Sequence, residues 1–382
     1  MYPGFTPDPC YPWLHRAEFN SADEIYPFLS RNHEVWGLDQ ESSWIFRGQV
    51  DDYPLLPKAW RIPISHGLGR VHQKFFDVTM RIINDRDSSD TCFNPFRHHF
   101  ANHRGAAAAA DFARKYASRA AHAFCMFLAE ADAIRWFVRF SDQIGLSLPD
   151  VETPSDTEAL RRAGTLVHDW SLPDGAINPH RAPYHEWWHN WRPNELFGLA
   201  QHYGVPTRLL DWTFEPRFAA FFATKGARRD PLKRVYVYGL SVAAMQGFNT
   251  LANDPTRERD ELSEEDRILG LGGVRAWELT CRRSQNENLH AQQGLFTYTR
   301  GGESYFMARG KWPTLLDILD LRYRIAHSPP IDPVMIQLCL PQSEANNLRK
   351  KLYRDGISLA HMFPGFSNIW ETVEWRLEQE PV

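Results

Sequence analysis

The sequence predicts an α+β fold in which a mixed or antiparallel sheet forms the core and a large helical insertion interrupts it. Segments of alternating β-branched and aromatic residues are typical of strands, and the clearest are residues 42–49, 234–241 and 334–341. Residues 66–193 instead show apolar residues at helical spacing together with strong helix formers. Because strands and helices do not follow a regular βαβ rhythm, a doubly wound α/β sheet is less favoured.

The composition limits the class of protein. The chain has 382 residues, 43% of them hydrophobic, with 14 Trp and 24 Phe, which is enough for a substantial core. A net charge of −4 gives no overall attraction to nucleic acid or to anionic membranes. The 5 cysteines are scattered, which favours reduced thiols over a disulfide framework. No apolar run approaches the ~20 residues of a membrane span. We therefore expect a soluble, cytoplasmic protein with no membrane partner, and the oligomeric state stays open.

The order of these elements divides the chain into four parts. They are an N-terminal arm (residues 1–20), a first part of the sheet domain (21–65), the helical insertion (66–193) and the main part of the sheet domain (194–382). We expect the arm to lie extended over a surface, since it is rich in proline and aromatic residues.

Shorter signals predict individual elements. Ser21 with Glu24 three residues later is a capping-box pattern, which predicts a helix from residue 22. Residues 250–268 are densely charged and predict a mobile loop. Residues 344–355 predict a helix that ends at Gly356, with basic residues placed favourably for the helix dipole.

The densest group of chemically active side chains lies in residues 200–223. His202 could act as acid, base or hydrogen-bond donor, and Tyr203 or Trp212 could stack on a ligand ring. Arg208 could bind an anion, and Asp211 could orient either basic group. In the alternative interpretation, Arg208 and Asp211 form a buried ion pair that fixes the loop. The aromatic residues that follow are assigned to the core, and we expect Thr213 to cap the next helix.

Two further motifs are candidates for ligand contact. Arg47 stands at a predicted strand end before Gly48 and Gln49, where its guanidinium could bind phosphate or carboxylate while the backbone approaches closely. The alternative is a structural arginine that pairs with an acid such as Asp211. Gln293, before a glycine and a strand, could bind a ligand amide or sugar hydroxyl, or could satisfy backbone groups of a turn.

A formal zinc motif is also present. His185, Glu186 and His189 match H-E-x-x-H, in which two histidines one helical turn apart share a zinc ion and the glutamate acts as base. Prolines on both sides leave barely two turns of helix, and no third histidine follows at the usual spacing. Glu195 or Glu215 would then have to complete the site. We assign no metal ligand.

Taken in order, several segments resemble the FRG domain, a bacterial family named for its aromatic-Arg-Gly motif. The longest and most specific match is QHYGVPTRLLDWT, and shorter matches precede and follow it; the matching segments are residues 46–49, 55–61, 201–213, 218–223, 291–296 and 360–366. The resemblance covers about residues 21–65 and 194–375, so the helical region between them is an insertion into the FRG domain. The H-E-x-x-H motif lies outside these segments.

The FRG pattern in turn resembles ADP-ribosyltransferases, which implies NAD as cofactor. Their aromatic-Arg-Gly strand holds the NAD phosphate or ribose, and a late loop and strand carry a catalytic glutamate. The implied cofactor-binding residues here are Arg47, Gly48, Gln49, Gln201, Tyr203, Thr207 and Arg208. The implied catalytic residues are His202, Asp211 and Gln293.

The chain departs from that pattern at one position. Gln293 stands where the catalytic glutamate is expected. A neutral amide cannot supply the negative charge that stabilises an oxocarbenium-like transition state. Glu278 or Glu287 could replace it only if the strand assignment shifts.

We therefore expect an ADP-ribosyltransferase-like or NAD-cleaving enzyme, of the kind found in toxins or phage-defence effectors. Its ligand would be nucleotide-like, and its target a protein or a nucleic acid. The first alternative is a non-catalytic module that binds a nucleotide or nucleic acid, which the missing glutamate favours. The second is a zinc hydrolase that uses His185, Glu186 and His189.

Overall fold

An eight-stranded sheet forms the centre of the molecule. The computed structural model describes residues 4–37, 44–61, 63, 67–84, 105–148, 195–227, 230, 232–327 and 333–379. The strands are β1 Thr6–Pro7, β2 Leu14–Glu18, β3 Trp44–Gln49, β4 Leu209–Thr213, β5 Arg234–Ser241, β6 Arg275–Leu279, β7 Gly294–Arg300 and β8 Met335–Pro341. Across the sheet their order is β1-β2-β8-β5-β3-β4-β7-β6.

Helices cover both faces of this sheet. In the described parts of the chain they are α1 Ala22–Ile25, α2 Leu68–Asn84, α3 Gly105–Gln143, α4 Glu195–His202, α5 Pro216–Thr224, α6 Val242–Leu251, α7 Pro255–Glu261, α8 Glu264–Ile268, α9 Glu287–Ala291, α10 Gly302–Arg309, α11 Leu315–Ala326, α12 Ala345–Arg354, α13 Leu359–Met362 and α14 Ile369–Glu378. Short 3₁₀ turns, among them Lys58–Arg61 and Phe366–Asn368, connect them.

The sheet is mixed, which confirms the predicted α+β class. β2 pairs with β8 in parallel, and the other neighbouring strands pair antiparallel. β2 lies within residues that were expected to form a surface arm. The chain is extended there, but Trp13 and Leu14 are buried in the core. Their large apolar side chains bury more favourably inside the sheet than on its surface.

The alternation of side chains along the strands creates two hydrophobic cores. Residues such as Ile45, Leu210 and Trp212 pack on one face, beneath α6 and α11. Phe46 and Val237 pack on the other face, with residues of α5 and α12. Successive side chains of a strand point to opposite faces, so β2, β3, β5 and β8 each contribute to both cores.

The strands β3 and β4 separate soon after they meet. Their register contains one pair, Phe46 with Thr213, whereas β3 pairs with β5 along its whole length. Beyond that pair the β3–β4 register ends, and we call the region between residues 47–49 and 209–212 the β3–β4 cleft. Arg47 of β3 and Asp211 of β4 lie next to this pair, on the two sides of the cleft.

Helix α5 lies very close to β3 at Gly48. A Cβ atom added to Gly48 would lie 1.8 Å from the backbone oxygen of Ala219 and 2.6 Å from the backbone nitrogen of Ala223. The glycine is therefore required by helix packing. The sequence predicted that the backbone at Gly48 approaches a ligand. In the structure, its close neighbour is the backbone of α5.

Most of the predicted elements are confirmed, and two details are wrong. The strand at residues 234–241 and the capping of α1 by Ser21 are as expected. Residues 250–268 contain α7 and α8 instead of a mobile loop. Each begins at a strong N-cap, Asp254 followed by proline and Ser263 followed by three acidic residues, and these caps outweigh the high charge. The N-cap of α5 is Glu215 and not Thr213.

The long helix α3 packs against the rest of the molecule through a core of its own. Phe124, Cys125 and Leu128 of α3 are buried with Phe75 of α2 and Met307 of α10. Cys125 is fully buried among these apolar side chains, and burial raises the pKa of its thiol to about 12. Among the helices described, none is both long and apolar enough to cross a membrane.

Candidate functional site

Arg47 and Asp211 bridge the β3–β4 cleft. The Nη1 group of Arg47 donates a 2.8 Å hydrogen bond to the backbone oxygen of Asp211 and lies 3.5 Å from its carboxylate. The side chain of Asp211 is 58% exposed, so this ion pair faces solvent. The Nε atom of Arg47 is buried and has no hydrogen-bond partner. The predicted pairing of Arg47 with Asp211 is thus present, but it leaves Arg47 with donor capacity to spare.

The end of α4 supports the same carboxylate. Gln201 donates to a carboxylate oxygen of Asp211 at 2.9 Å and to the backbone oxygen of Leu209 at 3.1 Å. Its own side-chain oxygen accepts a hydrogen bond from the Thr207 hydroxyl, and the Thr207 side chain is fully buried. Gly204 turns the chain between them with φ of +94°, a conformation that favours glycine. Gln201 and Thr207 therefore position β4 and Asp211, and Thr207 has no exposed surface for a ligand.

A second arginine stands beside the first. Arg61, in the 3₁₀ turn Lys58–Arg61, is exposed and makes no hydrogen bond or ion pair with the described residues. Desolvation and the charge of Arg47 lower the pKa of Arg61, against the opposing effect of Asp211. Lys58 of the same turn donates to the backbone oxygen of Gly204 at 3.2 Å. Among the residues that the structure describes, one carboxylate therefore faces two guanidinium groups at the cleft.

His202 is the titratable group of the cleft. Its Nε2 atom is buried and has no hydrogen-bond partner, and its ring contacts the rings of Tyr203 and Phe363. Burial lowers the pKa of His202, partly offset by the charge of Asp211. The imidazole is therefore held neutral at pH 7, with one ring nitrogen available to a ligand.

Tyr203 and Gln49 lie at different depths. Tyr203 is exposed and its ring lies edge-on to His202, so it is available for stacking on a ligand at the mouth of the cleft. Gln49 is buried, and its amide donates to the backbone oxygen of Tyr53 at 2.9 Å. Gln49 therefore fixes the chain after β3, and we do not place it in ligand contact.

Arg208 lies in a separate, fully buried cluster. Its guanidinium donates to Glu130 of α3 through Nε and Nη2, both at 3.1 Å, and to Glu303 of α10 through Nη1 at 2.7 Å. The expected Arg208–Asp211 pair is wrong, because the two carboxylates of α3 and α10 occupy the guanidinium instead. Burial alone would lower the pKa of Arg208, but the two carboxylates more than reverse this effect and raise it. With 2% of its side chain exposed, Arg208 is not available to a ligand.

Gln293 stands at the start of β7, next to the end of β4. Its φ is +46°, unusual for a residue with a side chain. Its backbone oxygen accepts from the N–H of Phe214 at 3.1 Å, and Gln292 donates to the backbone oxygen of Met362 at 2.9 Å. These bonds join the β4–α5 turn to the segment that carries Phe363. The Gln293 side chain makes no hydrogen bond with the described residues.

Of the two glutamates considered as substitutes for Gln293, Glu278 has a partner elsewhere. Glu278 lies on β6, two strands from β4, and accepts a hydrogen bond from Gln246 of α6. Glu287 is the first residue of α9. Asp211 is therefore the carboxylate at the cleft for which the structure gives direct contacts.

The H-E-x-x-H motif at residues 185–189 lies outside the residues that the structure describes. Within those it does describe, no group of three or more His, Cys, Asp or Glu side chains is arranged to hold a metal ion.

Sequence reasoning missed Arg61 as a member of the cleft, and it missed the partners of Arg208. Arg61 belongs to the segment LLPKAWR, which resembles the FRG pattern, so its basic residues were the available signal. Glu130 is the acidic residue in an apolar stretch of α3, AFCMFLAEA, and a charge there requires a buried partner.

Comparison with protein families supports the resemblance over one part of the chain. The family model described as FRG domain matches residues 172–231, which include α4, β4 and α5. No curated protein and no solved structure matched the chain.

Proposed function

We propose, from the premise that this chain carries an FRG domain in residues 172–231, that its β3–β4 cleft binds NAD or a closely related dinucleotide. The reaction would be ADP-ribosyl transfer to a protein or nucleic-acid target, or hydrolysis of NAD. An ADP-ribosyltransferase-like fold is part of this proposal. A role as toxin or phage-defence effector would follow from NAD consumption.

The pair Arg47 and Arg61 carries the proposal. Two guanidinium groups share the single carboxylate of Asp211, and Arg47 has a buried Nε atom without a partner. Because the cleft faces solvent, its excess positive charge is tolerated in the free protein and can attract an anion. Guanidinium groups bind phosphate oxygens through parallel hydrogen bonds, and a pyrophosphate offers two phosphates to two arginines.

The remaining cleft residues suit the chemistry of the nicotinamide–ribose bond. Cleavage breaks the bond between ribose C1′ and the nicotinamide nitrogen, and the bonding electrons leave with nicotinamide. The sugar gains positive charge as the bond breaks, and the Asp211 carboxylate would stabilise it. The incoming water or target nucleophile forms the new bond to C1′ and loses a proton. His202, held neutral by burial, would accept that proton. Tyr203 would stack on one of the rings.

Binding and turnover should be measured separately. Calorimetric titration with NAD is expected to show a single site, and nicotinamide release is followed by chromatography. Arg47→Ala and Arg61→Ala should each weaken binding about 10-fold or more, since each removes a charge-assisted contact of roughly 1.5–3 kcal/mol. Arg354→Ala, which removes an exposed arginine at the end of α12, is the matched control. Unchanged NAD affinity in both cleft variants would contradict the proposal.

A second candidate function is a binding module without catalysis. The observation that favours it is the neutral Gln293 beside the turn from β4 to α5. Such a module would show thermal stabilisation by NAD or another nucleotide and no product. Replacing Gln293 by Glu separates the two functions. Gain of nicotinamide release in Gln293→Glu identifies a silent enzyme site, whereas binding without release in both forms supports the module.

A further inference from the structure

The C-terminal helix carries an exposed apolar stripe. Phe366 is 93% exposed and Trp370 63% exposed, and they continue along α14 with Ile369, Val373 and Leu377, all exposed. These positions follow helical spacing, and α14 has no buried residue. We call this stripe the C-terminal face. A contiguous exposed aromatic and aliphatic stripe is typical of a surface that another protein covers.

Acidic residues border the C-terminal face along one edge. Glu374 and Glu378 lie one and two turns after Trp370, and Glu371 is adjacent to it. Glu371 lies 3.9 Å from Lys225, whereas Glu374 has no ion-pair partner among the described residues. An occupant of this face is therefore expected to be apolar with a basic edge.

The end of the long helix α3 offers those properties. Trp136, Phe140, Ile144 and Leu146 are exposed there. Arg135 and Arg139 lie over the Trp136 ring, with Cζ atoms at 4.9 and 5.1 Å from the ring centroid. We call these six residues the long-helix face.

The two basic groups of the long-helix face are not equivalent. Arg135 is bound by Asp132 at 2.6 Å. Arg139 has no carboxylate partner among the described residues, so its charge is free to meet an acid on another molecule.

We propose that the long-helix face of one copy of this chain docks on the C-terminal face of a second copy. Both faces are apolar and aromatic, and Arg139 on the first has the opposite charge to Glu374 beside the second. The two faces lie on different elements of the chain, so the contact is heterologous. A heterologous contact leaves one unused face at each end, and it builds either closed rings or open chains.

The first test uses sedimentation velocity of the full chain over a range of concentrations. The wild type is expected to associate as concentration rises. Trp370→Glu and Phe140→Glu each place a charge in one face and should each be monomeric. Leu232→Glu makes the same kind of change at an exposed apolar residue outside both faces and should associate like the wild type. Far-ultraviolet circular dichroism confirms that each variant is folded.

Mixing the two face variants gives a sharper result. Trp370→Glu keeps an intact long-helix face, and Phe140→Glu keeps an intact C-terminal face. A heterologous contact therefore predicts that the mixture forms a 1:1 dimer and nothing larger. A wild type that stays monomeric at about 100 μM overturns the proposal, because any contact with a Kd well below 1 mM would be populated at that concentration. So does association that survives Phe140→Glu, since the contact would then use one face twice.

Charge reversal tests the pairing itself. Glu374→Arg and Arg139→Glu should each weaken association, because like charges then face each other across the contact. The double variant carries both reversals in every copy and should recover association. Failure of the double variant to recover contradicts the Arg139–Glu374 pairing. NAD binding is read independently in these variants, so neither result depends on the proposed function.

Discussion

Two arginines of this chain, Arg208 and Arg47, lie near opposite ends of β4 in opposite electrostatic settings. Arg208 is buried and donates to two carboxylates, one from α3 and one from α10. Arg47 lies in the β3–β4 cleft, where it shares the half-exposed carboxylate of Asp211 with Arg61. The buried cluster has more carboxylates than guanidinium groups, and the cleft has more guanidinium groups than carboxylates.

This difference separates a structural arginine from a candidate ligand-binding arginine. A buried charge must be matched inside the protein, because desolvation penalises any unpaired charge by several kcal/mol. At a solvent-facing cleft an unmatched charge is tolerated, and a ligand of opposite charge can complete it. Arg208 therefore joins α3 and α10 to the segment before β4, whereas Arg47 can still bind a ligand at the cleft.

The largest expected effect comes from breaking the buried cluster. Arg208→Met leaves the carboxylates of Glu130 and Glu303 buried without their shared guanidinium. We expect a loss of about 3–5 kcal/mol in the free energy of unfolding, the usual result when one partner of a buried ion pair is removed. Urea denaturation measures this loss. Arg47→Met should cost less than about 1 kcal/mol, because its partner is solvent-facing.

A triple variant checks the cause of this loss. Arg208→Met combined with Glu130→Gln and Glu303→Gln removes the unpaired charges together with the guanidinium. Recovery of part of the lost stability shows that charge, and not lost packing, is responsible. A triple variant no more stable than Arg208→Met would assign the effect to packing.

Local signals in the sequence were sufficient for the elements that frame the cleft. β3 and β5 follow from the alternation of apolar residues, and the clustering of Gln201, His202 and Asp211 follows from their closeness in the chain. The α+β class follows from the irregular order of strands and helices. The resemblance of residues 46–49 to the FRG pattern adds the expectation that Arg47 belongs with that cluster, although it is distant in sequence.

Long-range partners could not be obtained in the same way. Arg208 and Glu130 are 78 positions apart, and Arg208 and Glu303 are 95 apart. Asp211 lies three positions after Arg208, which made it the obvious candidate partner. In the structure, however, Arg208 lies in the bend just before β4 and donates to Glu130 and Glu303, whereas Asp211 contacts Arg47 on β3.

The second prediction concerns the close approach of α5 and β3 behind the cleft. Gly48→Ala places a methyl group against the backbone of Ala219, and backbone atoms can move only with the helix. We expect a loss of about 1–3 kcal/mol in the free energy of unfolding, as for other overpacked sites. Gly247→Ala, in α6 with nothing within 4 Å of the added Cβ, is the control, and should be neutral or stabilising by up to about 1 kcal/mol. If Gly48→Ala lowers the free energy of unfolding no more than Gly247→Ala does, the packing of α5 does not fix the position of β3.

The smallest of the three effects is a pH dependence that arises in the cleft. Burial lowers the pKa of His202 below its ordinary value of 6.5. Between these two values the unfolded chain binds a proton that the folded chain does not, so stability falls as pH drops below about 6.5. His202→Asn should therefore make stability less sensitive to pH in this range, measured as urea midpoints between about pH 5 and pH 7. Other histidines with lowered pKa values give slopes of the same sign, so the test is the difference between wild type and variant; they are His15, His33, His72 and His122.

NAD connects this pH dependence to the comparison of the two arginines. If the Nε2 atom of His202 accepts a hydrogen bond from a bound dinucleotide, NAD stabilises the neutral imidazole, and NAD affinity should fall as pH drops through the lowered pKa of His202. Arg208 lies in the buried cluster, where no ligand reaches it, and supplies no such dependence. A binding curve for NAD that is equally pH-dependent in wild type and His202→Asn would remove His202 from the site and leave the two arginines as its basis.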